Sequence, residues 1–277
     1  MNHRLLLSVL GPPDRLLARL VGSGFGLKDL FTIVNLLGGV ASIGFAIQGE
    51  LWWAAFAVML GYLGDVADGP VARWTGRQNA FGSQLDTIAD HTSQCVAPAF
   101  VVFLAYRDFS LGVAFALASV LVVAGSIRHA RAAAVHFEFD LAFNGLPRPV
   151  AAFLVMAFIN SAFFGRVPGA AYVGIALVVL VAVLNLISLP FMCHHGRRLQ
   201  PWVLAVIVSF FAVCALAALF FRAYFFDVLL AVTLAYALGS WIPIRPEERA
   251  AFFAAARSWK AALAEQDAGA PRAEERP

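Results

Sequence analysis

The chain has 277 residues, of which 61% are hydrophobic and only 13% charged, with a formal net charge of +3. Soluble globular domains carry about 25% charged residues, so the composition excludes a water-soluble globule and predicts a polytopic membrane protein. The three cysteines (Cys95, Cys193, Cys214) form no CxxC pair and are odd in number, which argues against a disulfide framework; they read as small apolar packing residues.

The first 28 residues read as a cytoplasmic and interfacial segment. Within it Pro13 and Asp14 open a stretch with Leu16, Leu17, Leu20 and Val21 on one face and Arg15 and Arg19 on another. That pattern suits a short helix lying in the interface, or a leader helix packed on protein. No secretory signal is evident, because no small-residue cleavage site follows an apolar core. A helix needs roughly 20 apolar residues to cross the hydrocarbon core. Eight runs qualify: residues 29–48, 51–73, 82–106, 110–131, 149–164, 169–192, 201–221 and 224–242. All eight are expected to be helices, since open strand edges cannot exist in lipid. The expected fold is therefore an all-α polytopic transmembrane bundle, with a core over residues 29–192 and two additional helices over 193–243. Residues 244–277 form a tail: an alanine-rich helix opened by Arg245-Pro-Glu-Glu-Arg249, then an expected disordered stretch from Gln266.

Lysine and arginine set the expected orientation. With the N-terminus in the cytoplasm, 17 of the 20 basic residues fall inside and only Arg107, Arg166 and Arg222 outside, a strong positive-inside bias. The expected location is the inner (cytoplasmic) membrane, with both termini in the cytoplasm.

Against this background Asp65, Asp68, Asp86 and Asp90 stand out. A carboxylate at membrane depth costs a few kcal/mol or more, so such residues are rare and usually functional. Spacings of three and four stack each pair on one helix face. The second span runs inward and the third runs outward, so at about 1.5 Å per residue both pairs reach a similar depth just inside the cytoplasmic interface. Four carboxylates in one small volume repel one another unless cations neutralise them. Oxygen-only ligands favour magnesium, manganese or calcium over zinc. Two such ions about 3.5–4 Å apart would clamp a transferring phosphoryl group. Gly69 and Ala72 leave one helix face bare for the approach of a flat group, and Gly82 does the same or lets two helices pack closely. Arg73 is a bidentate donor for phosphate oxygens, an interfacial anchor or an aspartate partner.

The run Asp65-x2-Asp68-Gly69-x2-Ala72-Arg73-x8-Gly82-x3-Asp86-x3-Asp90 resembles the signature of the CDP-alcohol phosphatidyltransferase family at every fixed position and in both spacers. The resemblance implies a six-helix transmembrane core, commonly a homodimer, holding two divalent cations (Mg2+ or Mn2+). It implies transfer of a phosphatidyl or similar group from a CDP-linked donor to an alcohol, with release of CMP. By the same resemblance Asp65, Asp68, Asp86 and Asp90 are metal ligands, Asp90 is the general base, and Gly69, Ala72 and Arg73 line the nucleotide side. Membrane lipids are expected partners and nucleic acid is not.

Segments outside the motif bear on the acceptor. The stretch from Thr32 and Asn35 to Gly38-Gly39, then Val96-Ala97-Pro98-Ala99, Arg128-His129-Ala130-Arg131 and Gly145-Leu146-Pro147-Arg148-Pro149, resembles bacterial and archaeal phosphatidylserine synthases. That resemblance implies CDP-diacylglycerol as donor and L-serine as acceptor. Thr32, Asn35 and Gly82 join the nucleotide and diphosphate side, while Arg128, Arg131 and Asn144 become acceptor candidates. Guanidinium groups suit a serine carboxylate; equally, the two arginines are positive-inside anchors or contacts to donor phosphate. Asn144 shapes the acceptor pocket or belongs to a helix start with proline in its first turn.

The chain also departs from that pattern. His91, Gln94 and Cys95 stand where apolar or small residues are typical, and Ala132-Ala133 follow Arg131 where Arg-Phe-Asn usually continues the pattern. The departures leave glycerol 3-phosphate, inositol phosphate or another small alcohol as alternative acceptors, with Arg131, Arg148, Arg197 and Arg198 as cations for a phosphate. A cation-coupled transporter is the remote alternative, but its carboxylates belong near the midplane on interrupted helices. An intramembrane aspartyl protease needs a Gly-x-Gly-Asp pattern that Gly61-Tyr-Leu-Gly64-Asp65 does not supply.

Overall fold

The computed structural model describes residues 25–75, 79–135, 137, 139, 141–193, 216 and 218–269. The expected N-terminal interfacial helix, most of the seventh span and the loop around His194 and Arg197 fall outside them. The described chain is helical nearly throughout. In order come α1 (Leu27–Ile47), α2 (Leu51–Thr75) and α3 (Ala80–His91), then a π-helical turn (Thr92–Val96) leading into α4 (Ala97–Tyr106), and α5 (Leu111–Ala134). There follow β1 (Ala142–Asn144), α6 (Arg148–Asn160), α7 (Ala162–Arg166), α8 (Ala170–Leu186), β2 (Pro190–Met192), α9 (Phe225–Gly239) and α10 (Pro246–Gly269).

Among the described residues, four helical stretches are long and apolar enough to cross a membrane: Lys28–Ile47, Ala80–Tyr106, Leu111–Ala134 and Arg148–Arg166. Three shorter apolar helices accompany them, Leu51–Val66, Ala170–Leu186 and Phe225–Gly239. Large apolar side chains are exposed along the outer faces, including Leu37, Phe115 and Tyr172, as expected of a bundle whose solvent is lipid. The protein is a helical membrane bundle.

Backbone-to-backbone packing of α1 on α2 aligns the site. A Cβ on Gly38 would lie 2.7 Å from the Gly61 Cα and the Ala57 carbonyl, and one on Gly64 would lie 2.6 Å from the Phe31 carbonyl. Such close approach is what small residues allow between membrane helices. Gly39 makes the same approach to Ser93 in the π turn. Three elements are thereby drawn together at the level of Asn35, Asp65 and Asp90.

The π turn has a local cause. Pro98 lacks an N–H, and its ring would clash with the carbonyl four residues back, that of Gln94. The helix widens instead: the Ala97 N–H donates to the Thr92 carbonyl, one residue beyond α-helical spacing. π turns of this kind recur at functional sites.

Three expectations are corrected. The sixth span, expected over 169–192, stops at Leu186; Pro190–Met192 then pairs antiparallel with Ala142–Asn144, Phe143 opposite Phe191. Proline cannot continue the helix, and these residues stand at the end of the bundle where strand edges can be satisfied. The fifth span breaks at Ser161, whose extended backbone and side-chain oxygen cap α7 by accepting from the Phe164 N–H. The tail helix runs to Gly269, past the expected start of disorder at Gln266. It is also docked: Phe252 and Trp259 of α10 pack edge to face on Phe137. The Trp259 ring N–H donates to the Val135 carbonyl at 2.8 Å.

Candidate active site

Asp65 from α2 and Asp86 and Asp90 from α3 bring carboxylate oxygens within 4.8 Å of one another. Antiparallel neighbours with acids at helical spacing converge in this way. α2 remains helical through Asp68, Gly69, Ala72 and Arg73, but the side chains of these four lie outside the described residues.

Asp90 is only 5% exposed. Its Oδ1 accepts from Asn35 Nδ2 at 2.9 Å and from Gln94 Nε2 at 2.7 Å. Its Oδ2 accepts from Arg148 Nη2 at 3.0 Å. Donors from α1, the π turn and the first residue of α6 thus fix one carboxylate. A buried charge held by a paired cation and two amides is the arrangement that offsets its desolvation.

The other residues singled out from sequence are distributed unevenly. Thr32 and Asn35 are fully buried on α1, one turn apart, and Asn35 is spent on Asp90. Gly82 lies against Lys28 and Asp29 at the start of α1, which favours close helix packing as its role. Its N–H is capped by the Asn79 side chain at 2.8 Å.

Arg128 Nη1 donates to the Asn144 and Asn185 carbonyls at 2.8 and 3.0 Å. Arg131 Nη1 donates to the Leu186 carbonyl at 2.8 Å, and the Arg131 Cζ lies 4.7 Å from the centre of the Trp259 ring. These arginines clasp the end of α8, where the last carbonyls lack intrahelical partners; that use competes with the expected grip on an acceptor. They nonetheless border a cavity of about 340 Å³, with Asn144, Asn185, Phe137 and Trp259 among its other walls.

Arg148 was legible from sequence only as a spare cation for an acceptor phosphate. One signal pointed further: it is the first residue of a helix, where the dipole disfavours a cation, so it needs a nearby anion. Gln94 carried a weaker signal, being one helical turn beyond Asp90.

The donor set fits hard divalent ions. Three carboxylates share one small volume and every atom they offer is oxygen, the preference of Mg2+ and Mn2+. Mutual repulsion gives the cluster a reason to bind cations.

Comparison with known proteins agrees with this chemistry. The model of the CDP-alcohol phosphatidyltransferase family matches residues 26–214. An archaetidylserine synthase from Methanothermobacter thermautotrophicus is 33% identical over 169 residues, which cover 58% of this chain and 69% of that protein. CDP-diacylglycerol–serine O-phosphatidyltransferases from Methanocaldococcus jannaschii and Helicobacter pylori are each 32% identical, over 48% and 46% of this chain. The matches span 59% and 54% of those two proteins, so the chain covers little more than half of their length.

Proposed function

The chain belongs to the CDP-alcohol phosphatidyltransferase family, and on that premise we propose that it transfers the phosphatidyl group of CDP-diacylglycerol to L-serine and releases CMP. The observation that carries the reading is Asp90: a buried carboxylate oriented by donors from three elements, beside two further acids. The names of three relatives, all serine-directed, support the choice of acceptor.

In the proposed reaction the serine hydroxyl oxygen attacks the phosphorus attached to diacylglycerol. A new P–O bond to serine forms as the P–O bond to CMP breaks. Asp90 takes the hydroxyl proton, and a positioned general base is worth about 10²–10⁴-fold in rate. Arg148, Asn35 and Gln94 hold that carboxylate in one orientation, which is how positioned groups lower a barrier. Asp65, Asp68, Asp86 and Asp90 would hold two Mg2+ or Mn2+ ions, which when bound supply charge neutralisation at the diphosphate. Gly69, Ala72 and Arg73, with Thr32 on α1, are proposed to face the nucleotide and diphosphate. The cavity bordered by Arg128, Arg131 and Asn144 is proposed as the route for the acceptor, its size suiting a small polar molecule.

The excess of basic residues at the proposed cytoplasmic ends supports a centre facing the cytoplasm, in the inner membrane. A core over 29–192 with accessory helices beyond it, assembled as a homodimer in the lipid, completes the reading. The test uses purified protein in detergent with CDP-diacylglycerol, Mn2+ or Mg2+, and a panel of acceptors. CMP release with L-serine is expected. Release with glycerol 3-phosphate or inositol phosphate and none with serine would overturn the acceptor while leaving the family chemistry intact.

A further inference from the structure

Asp90 accepts from nitrogen donors in the carboxylate centre, whereas the next residue meets a different set. His91, Cys95 and His129 bring one imidazole nitrogen or sulfur each within 4.8 Å of one another. Cys95 is buried and unbridged, and Gly125 makes room for it: a Cβ there would lie 2.5 Å from the sulfur. The two imidazoles meet edge to face, with centroids 5.2 Å apart. Nδ1 of His91 and Nε2 of His129 are both buried without a hydrogen-bond partner. Two orphaned ring nitrogens beside a thiol are costly unless something binds them. His91 and Cys95 stand one helical turn apart, and His129 comes to them from α5.

We propose that His91, Cys95 and His129 form a second kind of cation site, separate from the carboxylate centre, for a divalent transition ion of the zinc class. Thiolate and imidazole select such an ion over Mg2+. His91 is set up as a ligand: its Nε2 lies 3.5 Å from the Ser126 hydroxyl. With the proton on Nε2 directed at that oxygen, the lone pair of Nδ1 is left for the ion.

His129 links the site to the carboxylate centre. Arg148 carries only donors, so the 3.2 Å contact of its Nη1 is accepted by Nδ1 of His129, and the ring proton sits on Nε2. Ligation through Nε2 moves that proton to Nδ1 and turns Arg148 Nη1 away, while Nη2 keeps its 3.0 Å contact with Asp90. The thiol releases one proton to water as it becomes a ligand, the imidazoles stay neutral, and the loaded site carries one positive charge. Occupancy thereby loosens one arm of the arginine that orients Asp90. Three protein ligands leave a fourth position for water.

The test needs no transferase activity, so it stands apart from the acceptor reading. The full chain, purified in detergent and stripped with chelator, is titrated with Co2+ alone and read for a thiolate-to-cobalt charge-transfer band in the near ultraviolet. The band is expected in the wild type, resistant to excess Mg2+ and displaced by Zn2+. It is expected to survive in Asp86→Asn and in the Cys193→Ser/Cys214→Ser double variant, to vanish in Cys95→Ser, and to need at least tenfold more Co2+ in His129→Leu. Absence of the band from the wild type overturns the proposal whatever the variants do. So does its persistence in Cys95→Ser, or an unchanged titration in His129→Leu.

Discussion

Arg128 and Arg148 flank the same connection, one near the end of α5 and the other opening α6, yet they serve opposite partners. Arg128 caps backbone carbonyls of the β1 turn and of α8. Arg148 grips a buried carboxylate and a histidine. The first holds the scaffold of the proposed acceptor cavity and the second holds the proposed base. Guanidinium chemistry suits both tasks, because a planar fork of donors fits paired carbonyls as well as a carboxylate. What separates them is the company each finds when the helices pack.

The carboxylate side of this contrast should be the more sensitive to change. Asp90→Asn keeps the shape and removes the base, and CMP release is expected to fall by about 10²–10⁴-fold; full turnover would remove Asp90 from that role. Chelator treatment should bring CMP release to background, with recovery on adding Mn2+ or Mg2+. Recovery with neither would break the link between the acid cluster and hard cations.

Arg148→Ala leaves the Asp90 charge without its ion-pair partner. Losing one partner of a fully buried pair costs about 3–5 kcal/mol; Arg148 is 30% exposed on its side chain, so roughly half of that is expected in detergent denaturation. Turnover should drop by about 10–100-fold, with a smaller change in acceptor KM. Arg128→Ala is the matched control. It should cost stability through the loosened α8 end, about 1–3 kcal/mol for unsatisfied carbonyls, and affect acceptor KM more than turnover. If the two variants behave alike, the division of labour between the arginines is wrong.

The smallest expected effect belongs to the tail. Trp259→Ala removes the bond to Val135 and the stacking of Arg131, together about 1–2 kcal/mol. Faster proteolysis of α10 and a two- to fivefold rise in acceptor KM are expected. An unchanged KM would show that the cavity beneath α10 lies off the acceptor's path.

Much of the fold could be read from residue order alone. Hydropathy located the spans because a bilayer imposes a length on every crossing helix. Misreadings gathered at ends and breaks: Ser161 interrupts the fifth span through its own cap, and Pro190 ends the sixth early. The centre was legible to the extent that its acids are local. Acids three or four residues apart announce a shared helix face, and Asp65, Asp86 and Asp90 do converge. Contacts across helices were not legible. Neither Asn35 to Asp90 nor Arg148 to Asp90 is encoded by spacing, and neither is the approach of His129 on α5 to Cys95.

The sequence by itself determined a membrane bundle and a family signature, because lipid solvation and helical periodicity act on neighbours along the chain. Only the tertiary structure decided which polar residue answers which. It set Arg148 on Asp90, committed Arg128 to carbonyls, folded α10 against the β1 approach, and gathered nitrogen and sulfur beside the carboxylates. The reason is physical. Desolvation makes every buried polar group find a partner, and the partner is whatever close helix packing brings within about 3 Å, however far away it lies in the chain.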